Sequence, residues 1–227
     1  MEARQVKGTA LEYILVTPEG FTADAGYPLV VLLHGFGANM QDLASLAPYI
    51  DETGYAYAFP NAPFSVELGP GYTGYSWATG RPGMTQPPVD TSDVDGMLDT
   101  FMQDLLAETG ATAGKAVLGG FSQGGGLTLR FGLPRPEQFA GLAVLSGFFR
   151  DHEAVEKRLP AERKQRIFVA HGTEDPTVAI EGGRATKAFL EGAGYEFEYH
   201  EYPMRHEISG SEIEDLKTWL HATLPPH

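Results

Sequence analysis

The fold follows from one stretch of sequence, Ala116-Val117-Leu118-Gly119-Gly120-Phe121-Ser122-Gln123-Gly124. It holds a serine in the spacing G-x-S-x-G, after an apolar run and before a helix-like segment, which predicts a sharp turn from a strand into a helix. Such a turn projects the serine hydroxyl, and the flanking glycines relieve crowding against the neighbouring backbone. A plain glycine-rich turn is the alternative, because the chain has 28 glycines. The apolar residues on both sides favour the first interpretation, with Ser122 as candidate nucleophile.

Short apolar runs recur on both sides of this stretch without alternation, which is typical of strands covered on both faces. We predict strands at residues 29–33, 56–59, 116–118, 142–145, 166–170 and 195–202, with an edge strand near 11–16. Helices are predicted at residues 40–50, 91–108, 123–131, 182–190 and 213–220. This alternation predicts an α/β fold with a mostly parallel central sheet and helices on both faces. Because no linker or repeat is evident, residues 1–227 are expected to form a single domain.

Residues 60–88 depart from this rhythm. They contain many glycines and prolines together with Tyr72, Tyr75 and Trp77, and they show no periodicity. A loop of this length in a compact domain is more often functional than idle, and it follows the carboxyl end of a strand, where α/β sheets bind ligands. We therefore expect it to border the active site; an ordinary surface excursion is the alternative.

A serine nucleophile needs a base and a residue that orients the base, in the chain order serine, acid, histidine. Asp175 follows the predicted strand 166–170 and is chosen over Glu174, because Pro176 and Val178 resemble the turn of such acid loops. A turn or helix-capping aspartate is the alternative for Asp175.

His206 lies between the last predicted strand and the last helix, where the fold needs its base. We expect His171 to support the acid loop and His200 to be structural or at the surface. The three remaining histidines in charged or terminal segments are expected at the surface: His152, His221 and His227.

Backbone N–H groups must stabilise the negative oxygen that develops during acyl transfer. His34-Gly35-Phe36-Gly37 follows the strand at residues 29–33, as the corresponding loop of this type of site does. We predict the N–H groups of Phe36 and Gln123 as the pair of donors. His34 is interpreted as holding the loop in shape rather than as a catalytic residue.

Composition excludes several classes of function. The formal net charge of −14 opposes binding to nucleic acid or to an anionic membrane. Cysteine is absent, which rules out disulfides and thiolate metal sites, and no histidine and carboxylate cluster shows metal-ligand spacing. No phosphate-binding glycine motif is present either, so neither a metal nor a cofactor is implied. The sequence also contains no apolar stretch long enough to span a membrane. A cytoplasmic protein is expected.

Five segments, in order over nearly the whole chain, resemble the carboxylesterase branch of the α/β hydrolases, which includes acyl-protein thioesterases and lysophospholipase-like enzymes. They are Leu33-His34-Gly35-Phe36-Gly37, Phe59-Pro60-Asn61-Ala62-Pro63, Gly120-Phe121-Ser122-Gln123-Gly124-Gly125, His171-Gly172 with Asp175, and Tyr202-Pro203-Met204-Arg205-His206. The resemblance implies cofactor-free hydrolysis of carboxylic esters or thioesters and a small fold without a large lid. It implies the triad Ser122, Asp175 and His206, and it suggests that Trp77 and Val178 contact the acyl group.

This chain departs from the family pattern in two places. Phe36 and Ala38-Asn39 stand where the family often has a leucine and an aspartate, and residues 69–75 differ from those of the thioesterase members. We therefore expect an esterase for small molecules with short to medium acyl chains. An acyl-protein thioesterase or lysophospholipase remains the alternative, as does a non-catalytic binding protein on a hydrolase scaffold. A homodimer remains possible on the sequence alone.

Overall fold

The central sheet of the computed structural model, which describes residues 1–80, 84, 90–149 and 152–227, has eight strands in the order β1-β2-β4-β3-β7-β8-β9-β10. Their bounds are β1 Glu2–Lys7, β2 Glu12–Thr17, β3 Leu29–Leu33, β4 Ala56–Pro60, β7 Ala116–Phe121, β8 Gly141–Leu145, β9 Arg166–Gly172 and β10 Phe197–Tyr202. The two pairings that involve β2 are antiparallel. The remaining five are parallel, so the predicted mostly parallel sheet is confirmed.

Helices cover both faces of this sheet. They are α1 Ala47–Ile50, α2 Thr91–Thr109, α3 Gln123–Gly132, α4 His152–Glu156, α5 Ile180–Ala193 and α6 Gly210–Thr223. Alternate residues of β3 enter opposite cores: Val31 packs with side chains of α2 and α3, while Leu32 packs with side chains of α1 and α6. Burial on both faces explains why the strands read as unbroken apolar runs. Among the described residues, no helix is long and apolar enough to cross a membrane.

Two expectations from the sequence were wrong, and one helix was not predicted. The strand near residues 11–16 is not at the edge, because β1 pairs with its outer side; β1 is polar and mostly exposed, so it lacks an apolar signal. The helix predicted at 40–50 is reduced to a 3-10 turn at Ala44–Leu46 and the short α1, which has a proline in its first turn. The short helix α4 was not predicted.

The loop predicted at residues 60–88 contains an antiparallel hairpin, with strands β5 Phe64–Glu67 and β6 Thr73–Ser76. Glycine and proline at its tip, residues 69–71, obscured the short alternating strands on either side. Residues 81–83 and 85–88 of the predicted loop lie outside the described residues.

Helix α6 begins with a capping box that contains a buried carboxyl group. The Ser209 hydroxyl accepts the N–H of Glu212, and the Glu212 carboxylate accepts the N–H of Ser209. Glu212 is fully buried, and Oε1 of its carboxylate has no hydrogen-bond partner among the described residues. Burial raises the pKa of Glu212 to about 8, against the opposing effect of the Ser209 N–H. The folded protein therefore favours the neutral acid.

We predict that Glu212→Gln stabilises the protein more at high pH than at low pH. The folded pKa lies above the ordinary value of 4.5, so the wild type loses stability as pH rises from about 4.5 to about 8. Glutamine does not titrate and keeps an oxygen for the Ser209 N–H. Its advantage in free energy of unfolding should grow by on the order of 2–4 kcal/mol between pH 5 and pH 9 in urea titrations.

The matched control is Glu214→Gln, because Glu214 lies exposed on the same helix. For each variant, the difference in free energy of unfolding from wild type is followed with pH. If this difference has the same pH dependence in Glu212→Gln and Glu214→Gln, burial of Glu212 does not cause the loss of stability at high pH.

Candidate active site

The turn at Ser122 is strained. Strand β7 ends at Phe121, helix α3 begins at Gln123, and Ser122 between them has φ 54° and ψ −112°. A positive φ is unfavourable for a residue with a side chain and persists only where the surroundings enforce it. Here the Ser122 N–H donates to the Leu145 carbonyl at 2.9 Å, and the Ser122 carbonyl accepts the N–H of Gly126 at 3.2 Å. The neighbouring strand and the first turn of α3 therefore fix the serine.

Glycines around the turn are required by backbone packing. A Cβ on Gly120 would lie 2.5 Å from the carbonyl carbon of Gly124. A Cβ on Gly124 would overlap the carbonyl oxygen of Leu33, and one on Gly126 would overlap that of Phe148. Backbone atoms cannot move aside as a flexible side chain can. The glycines of the motif therefore bring β7, α3 and the end of β3 into direct backbone contact.

A continuous hydrogen-bond chain joins the three residues that the sequence singled out. Oγ of Ser122 lies 2.9 Å from Nε2 of His206, and Nδ1 of His206 lies 2.6 Å from Oδ2 of Asp175. An ionised carboxylate can only accept, so Nδ1 of His206 carries the proton and its Nε2 accepts the Ser122 hydroxyl. This is the tautomer that a base acting on serine needs.

The Asp175 carboxylate is buried but fully hydrogen-bonded. Its side chain is 0% exposed, and Oδ1 accepts the N–H groups of Thr177 and Val178, each at 2.8 Å. Burial alone would raise the pKa of Asp175. The two N–H donors and the bond to His206 outweigh that effect, so the pKa lies below its ordinary value. The aspartate is therefore charged across the neutral range.

The loop that follows β9 and the loop that follows β10 are bonded to each other. The Thr173 N–H donates to the Tyr202 carbonyl at 2.8 Å, and the Glu174 N–H donates to the Met204 carbonyl at 3.1 Å. A Cβ on Gly172 would overlap the Met204 carbonyl, so glycine is needed where the loops cross. Parallel pairing of β9 with β10 sets both loops at the same edge of the sheet. Glu174 itself is exposed, which agrees with the choice of Asp175 as the acid.

The histidines beside His206 have other surroundings. His171 is fully buried, and its Nε2 lies 2.8 Å from the Val178 carbonyl, so it contacts the loop that carries Asp175. His200 lies in β10, and His221 bonds Asp51. His152 was expected at the surface, but it is half-buried and stacks on Phe189, a contact between distant segments that the sequence does not reveal.

The loop predicted to hold the negative oxygen lies against the serine. A Cβ on Gly35 would lie 3.4 Å from the Cβ of Ser122, so the loop that contains Phe36 runs close to the serine at Gly35. His34 beneath it is buried: its Nδ1–H donates to the Gly35 carbonyl and its Nε2 accepts the Ala62 N–H. Burial lowers the pKa of His34 to about 4, despite the opposing bond to Gly35, so this histidine stays neutral.

The two residues expected to contact substrate are mostly buried. Trp77 is 3% exposed, and its indole Nε1–H donates to the His34 carbonyl at 2.9 Å. Val178 is 9% exposed, and its backbone bonds both Asp175 and His171. Both residues therefore hold the loops of the site in place, whatever surface they present to a substrate.

Residues 22–224 match the model of the phospholipase/carboxylesterase family. The chain belongs to this family. The chain is 31% identical to a probable carboxylesterase from Oryza sativa subsp. japonica, over 91% of this chain and 82% of that protein. It is also 31% identical to acyl-protein thioesterase 1 from Emericella nidulans, over 86% of this chain and 90% of that protein. The crystal structure of esterase PE8 superposes with a TM-score of 0.78 at 24% identity, covering 99% of this chain and 100% of that one, and establishes the α/β-hydrolase fold.

Two contacts in this family member were not predicted from its sequence. The Phe121 ring lies against the His206 ring, with centroids 4.7 Å apart, and restricts the imidazole from the side of β7. The Gln123 side chain bonds Ser76 and the backbone of Trp77. Phe121 and Gln123 belong to the G-x-S-x-G motif, which draws attention to both positions. The residues that they contact, however, lie far away along the chain.

Within residues 1–80, 84, 90–149 and 152–227, no group of three or more histidine, aspartate or glutamate side chains is arranged to hold a metal ion.

We predict opposite effects of alanine at two helical glycines. Gly124→Ala forces a methyl group into the Leu33 backbone and should lower the free energy of unfolding by about 1–3 kcal/mol. Gly96→Ala in α2 meets no atom within 4 Å and should raise it by about 0.5–1 kcal/mol, because alanine restricts the unfolded chain. Urea titrations of both variants measure the difference. Two variants of equal stability would contradict the close backbone contact at Gly124.

Proposed function

We propose that this chain is a serine carboxylesterase that hydrolyses short- to medium-chain carboxylic esters through an acyl-enzyme on Ser122. The observation that carries the proposal is the unbroken hydrogen-bond chain from the Ser122 hydroxyl through His206 to the buried Asp175. Membership of the phospholipase/carboxylesterase family supports it, as do relatives named carboxylesterase and acyl-protein thioesterase.

The reaction proceeds by acyl transfer in two halves. His206 takes the Ser122 proton at Nε2 as the serine oxygen attacks the ester carbonyl. The same nitrogen then delivers this proton to the departing alcohol, which leaves an acyl group on the serine. Water, deprotonated by His206, attacks the acyl-enzyme and releases the acid, and the proton returns to Ser122. Asp175 holds the imidazole in orientation and stabilises its positive charge during both halves.

The N–H groups of Phe36 and Gln123 stabilise the tetrahedral oxyanion. The approach of Gly35 to Ser122 and the position of Gln123 at the start of α3 support this pair. A helix N-terminus adds a favourable partial charge for a developing anion. Asp175 and His206 promote the proton transfer from Ser122, while the N–H groups of Phe36 and Gln123 stabilise the negative charge of the oxyanion.

Trp77 and Val178 border the acyl group. Both belong to loops that contact the catalytic residues, Trp77 through Gln123 and Val178 through Asp175, which supports the assignment.

Thioesters are the second candidate substrates. The relatives named acyl-protein thioesterase favour them, since the same triad cleaves either bond. A small ester is preferred here because residues 69–75 depart from the thioesterase pattern. A lysophospholipid is less favoured because the net charge of −14 opposes an anionic lipid surface.

The remaining proposals concern the protein as a whole. Residues 1–227 form one catalytic domain, supported by a central sheet of eight strands whose first begins at Glu2 and whose last ends at Tyr202. The enzyme acts in the cytoplasm on a small-molecule ester, without a cofactor or nucleic acid, and a homodimer is its proposed assembly. Light scattering coupled to size-exclusion chromatography tests the assembly.

We predict that Ser122→Ala abolishes hydrolysis of nitrophenyl esters, because the variant keeps the fold and loses the nucleophile. The rate should fall by at least about 10³-fold. Nitrophenyl esters from acetate to palmitate, assayed beside an S-acyl peptide, give the acyl preference and compare ester with thioester. The matched control is Ser45→Ala, whose serine is exposed on the 3-10 turn, and it should keep full activity.

Equal activity of wild type and Ser122→Ala would remove Ser122 from the mechanism. A wild type active only on the S-acyl peptide would replace the esterase proposal by the thioesterase alternative. A wild type inert on every substrate would favour the binding protein on a hydrolase scaffold.

We also predict that a single protonation governs the acidic side of the pH profile. The pKa of Asp175 lies below its ordinary value, so the aspartate stays charged as the pH falls from neutral and adds no proton of its own to the profile. A plot of log kcat/KM against pH should have a slope of about one on the acidic side. A slope of two would mean that Asp175 titrates together with the base.

Asp175→Asn should lower kcat by about 10⁴-fold, because the amide favours the wrong tautomer of His206.

A further inference from the structure

The side chain of Gln123 bridges two parts of the chain that are distant in sequence. It is 9% exposed; its Oε1 accepts the Trp77 N–H at 3.1 Å and its Nε2 donates to the Ser76 hydroxyl at 3.0 Å. The Ser76 hydroxyl, which is fully buried, donates in turn to the Ala78 carbonyl at 2.6 Å. The residue after the candidate nucleophile thus holds the end of β6 through both halves of its amide.

The same end of β6 is bonded to the loop that carries Phe36. The Gly37 N–H donates to the Tyr75 carbonyl at 2.8 Å, and the Tyr75 N–H donates to the Ala38 carbonyl at 2.9 Å. A Cβ on Gly74 would overlap the Gly37 carbonyl, so the two backbones touch. A pair of backbone hydrogen bonds therefore joins the hairpin to the loop.

A closed circuit results from these contacts. It runs from Gln123 to Ser76 and Trp77, across Tyr75 to Gly37, and back along the loop to the backbone beside Ser122. We propose that the side chain of Gln123 is a positioning group for the oxyanion hole, which fixes the Phe36 loop relative to Ser122 through the β5–β6 hairpin. This inference rests on the proposed function, in which the N–H groups of Phe36 and Gln123 stabilise the oxyanion.

Glutamine suits this position because it offers a donor and an acceptor at once. Methionine has a similar length and shape but would leave the buried Trp77 N–H without its acceptor and would remove the donor to the Ser76 hydroxyl, which would keep only its bonds to Ala78. Misplacement of a loop by about 1 Å can lower a rate by about 10²-fold, because the donors must meet the oxyanion in the transition state. A loss confined to the transition state lowers kcat and leaves KM nearly unchanged.

The experiment compares Gln123→Met, Ser76→Ala and the double variant with wild type. The control is Thr128→Val, which removes a buried hydroxyl from the same helix; that hydroxyl bonds only to the Gly124 carbonyl among the described contacts. Three quantities are measured: kcat and KM for nitrophenyl butyrate, the inhibition constant of an alkyl boronic acid, and hydrogen exchange of the Gly37 and Tyr75 amides. Boronic acids form a tetrahedral adduct with a nucleophilic serine and therefore probe the oxyanion hole directly.

For Gln123→Met we expect kcat to fall by about 10- to 100-fold at little changed KM, with a similar weakening of boronate inhibition. Exchange at Gly37 and Tyr75 should quicken by about tenfold or more. Ser76→Ala should give a smaller change in the same direction, and the double variant should be no worse than Gln123→Met, because both break one circuit. Thr128→Val should match wild type in all three.

Unchanged kcat and boronate inhibition in Gln123→Met, with only a lower melting temperature, would overturn the proposal in favour of a merely stabilising contact. A fall in kcat without faster exchange at Gly37 and Tyr75 would also overturn it, since the loop would not have moved. Should Gln123→Met fail to fold, Ser76→Ala decides by the same criteria. A wild type without activity would refute the proposed function, and exchange in the variants would still decide whether Gln123 holds the loop.

Discussion

Backbone contact between β7 and α3 is the constraint on which the site depends. Ser122 can hold its positive φ only because Gly120 and Gly124 let the strand before it and the helix after it approach without side chains between them. The same absence of a side chain at Gly124 admits the carbonyl of Leu33, where β3 ends. The strained turn that presents the hydroxyl to His206 therefore also brings the Phe36 loop beside it. Nucleophile and oxyanion loop are consequences of one packing arrangement.

A second constraint acts on the other side of Ser122. Parallel neighbours β9 and β10 end at the same edge of the sheet, so the loops that follow them meet, and Gly172 lets them cross. Burying the Asp175 carboxylate would cost several kcal/mol if it were unpaired. Two backbone N–H groups and the His206 ring offset that cost and at the same time orient the histidine. The hydrogen bonds that stabilise the buried charge of Asp175 are therefore the same ones that the aspartate needs to orient His206.

The sequence predicts those parts of the fold and site that depend on local patterns. Unbroken apolar runs predict the central strands, and chain order together with position after a strand indicates Ser122, Asp175 and His206. The structure joins these three residues in one hydrogen-bond chain through His206. Strand β1 cannot be predicted in this way, because a polar edge strand has no periodic apolar residues. The partners of Gln123 could not be predicted either, because they lie 46 and 47 residues away and their approach depends on a hairpin hidden in a glycine-rich segment.

The loops of the site support one another rather than standing separately on the sheet. On one side the loops after β9 and β10 share two backbone hydrogen bonds; on the other the Phe36 loop shares two with β6. Between them stands the rigid turn at Ser122, which contacts the first pair through His206 and the second through Gly35 and the Gln123 amide. Because loops are ordinarily the least stable parts of a fold, such mutual bonding is what allows donors and acceptors from five segments to keep hydrogen-bond geometry. At the tip of the hairpin Tyr72 is 55% exposed, but the side chain of Leu68 lies against Gly37, so contact between the hairpin and the Phe36 loop extends beyond the hydrogen bonds at the base of the hairpin.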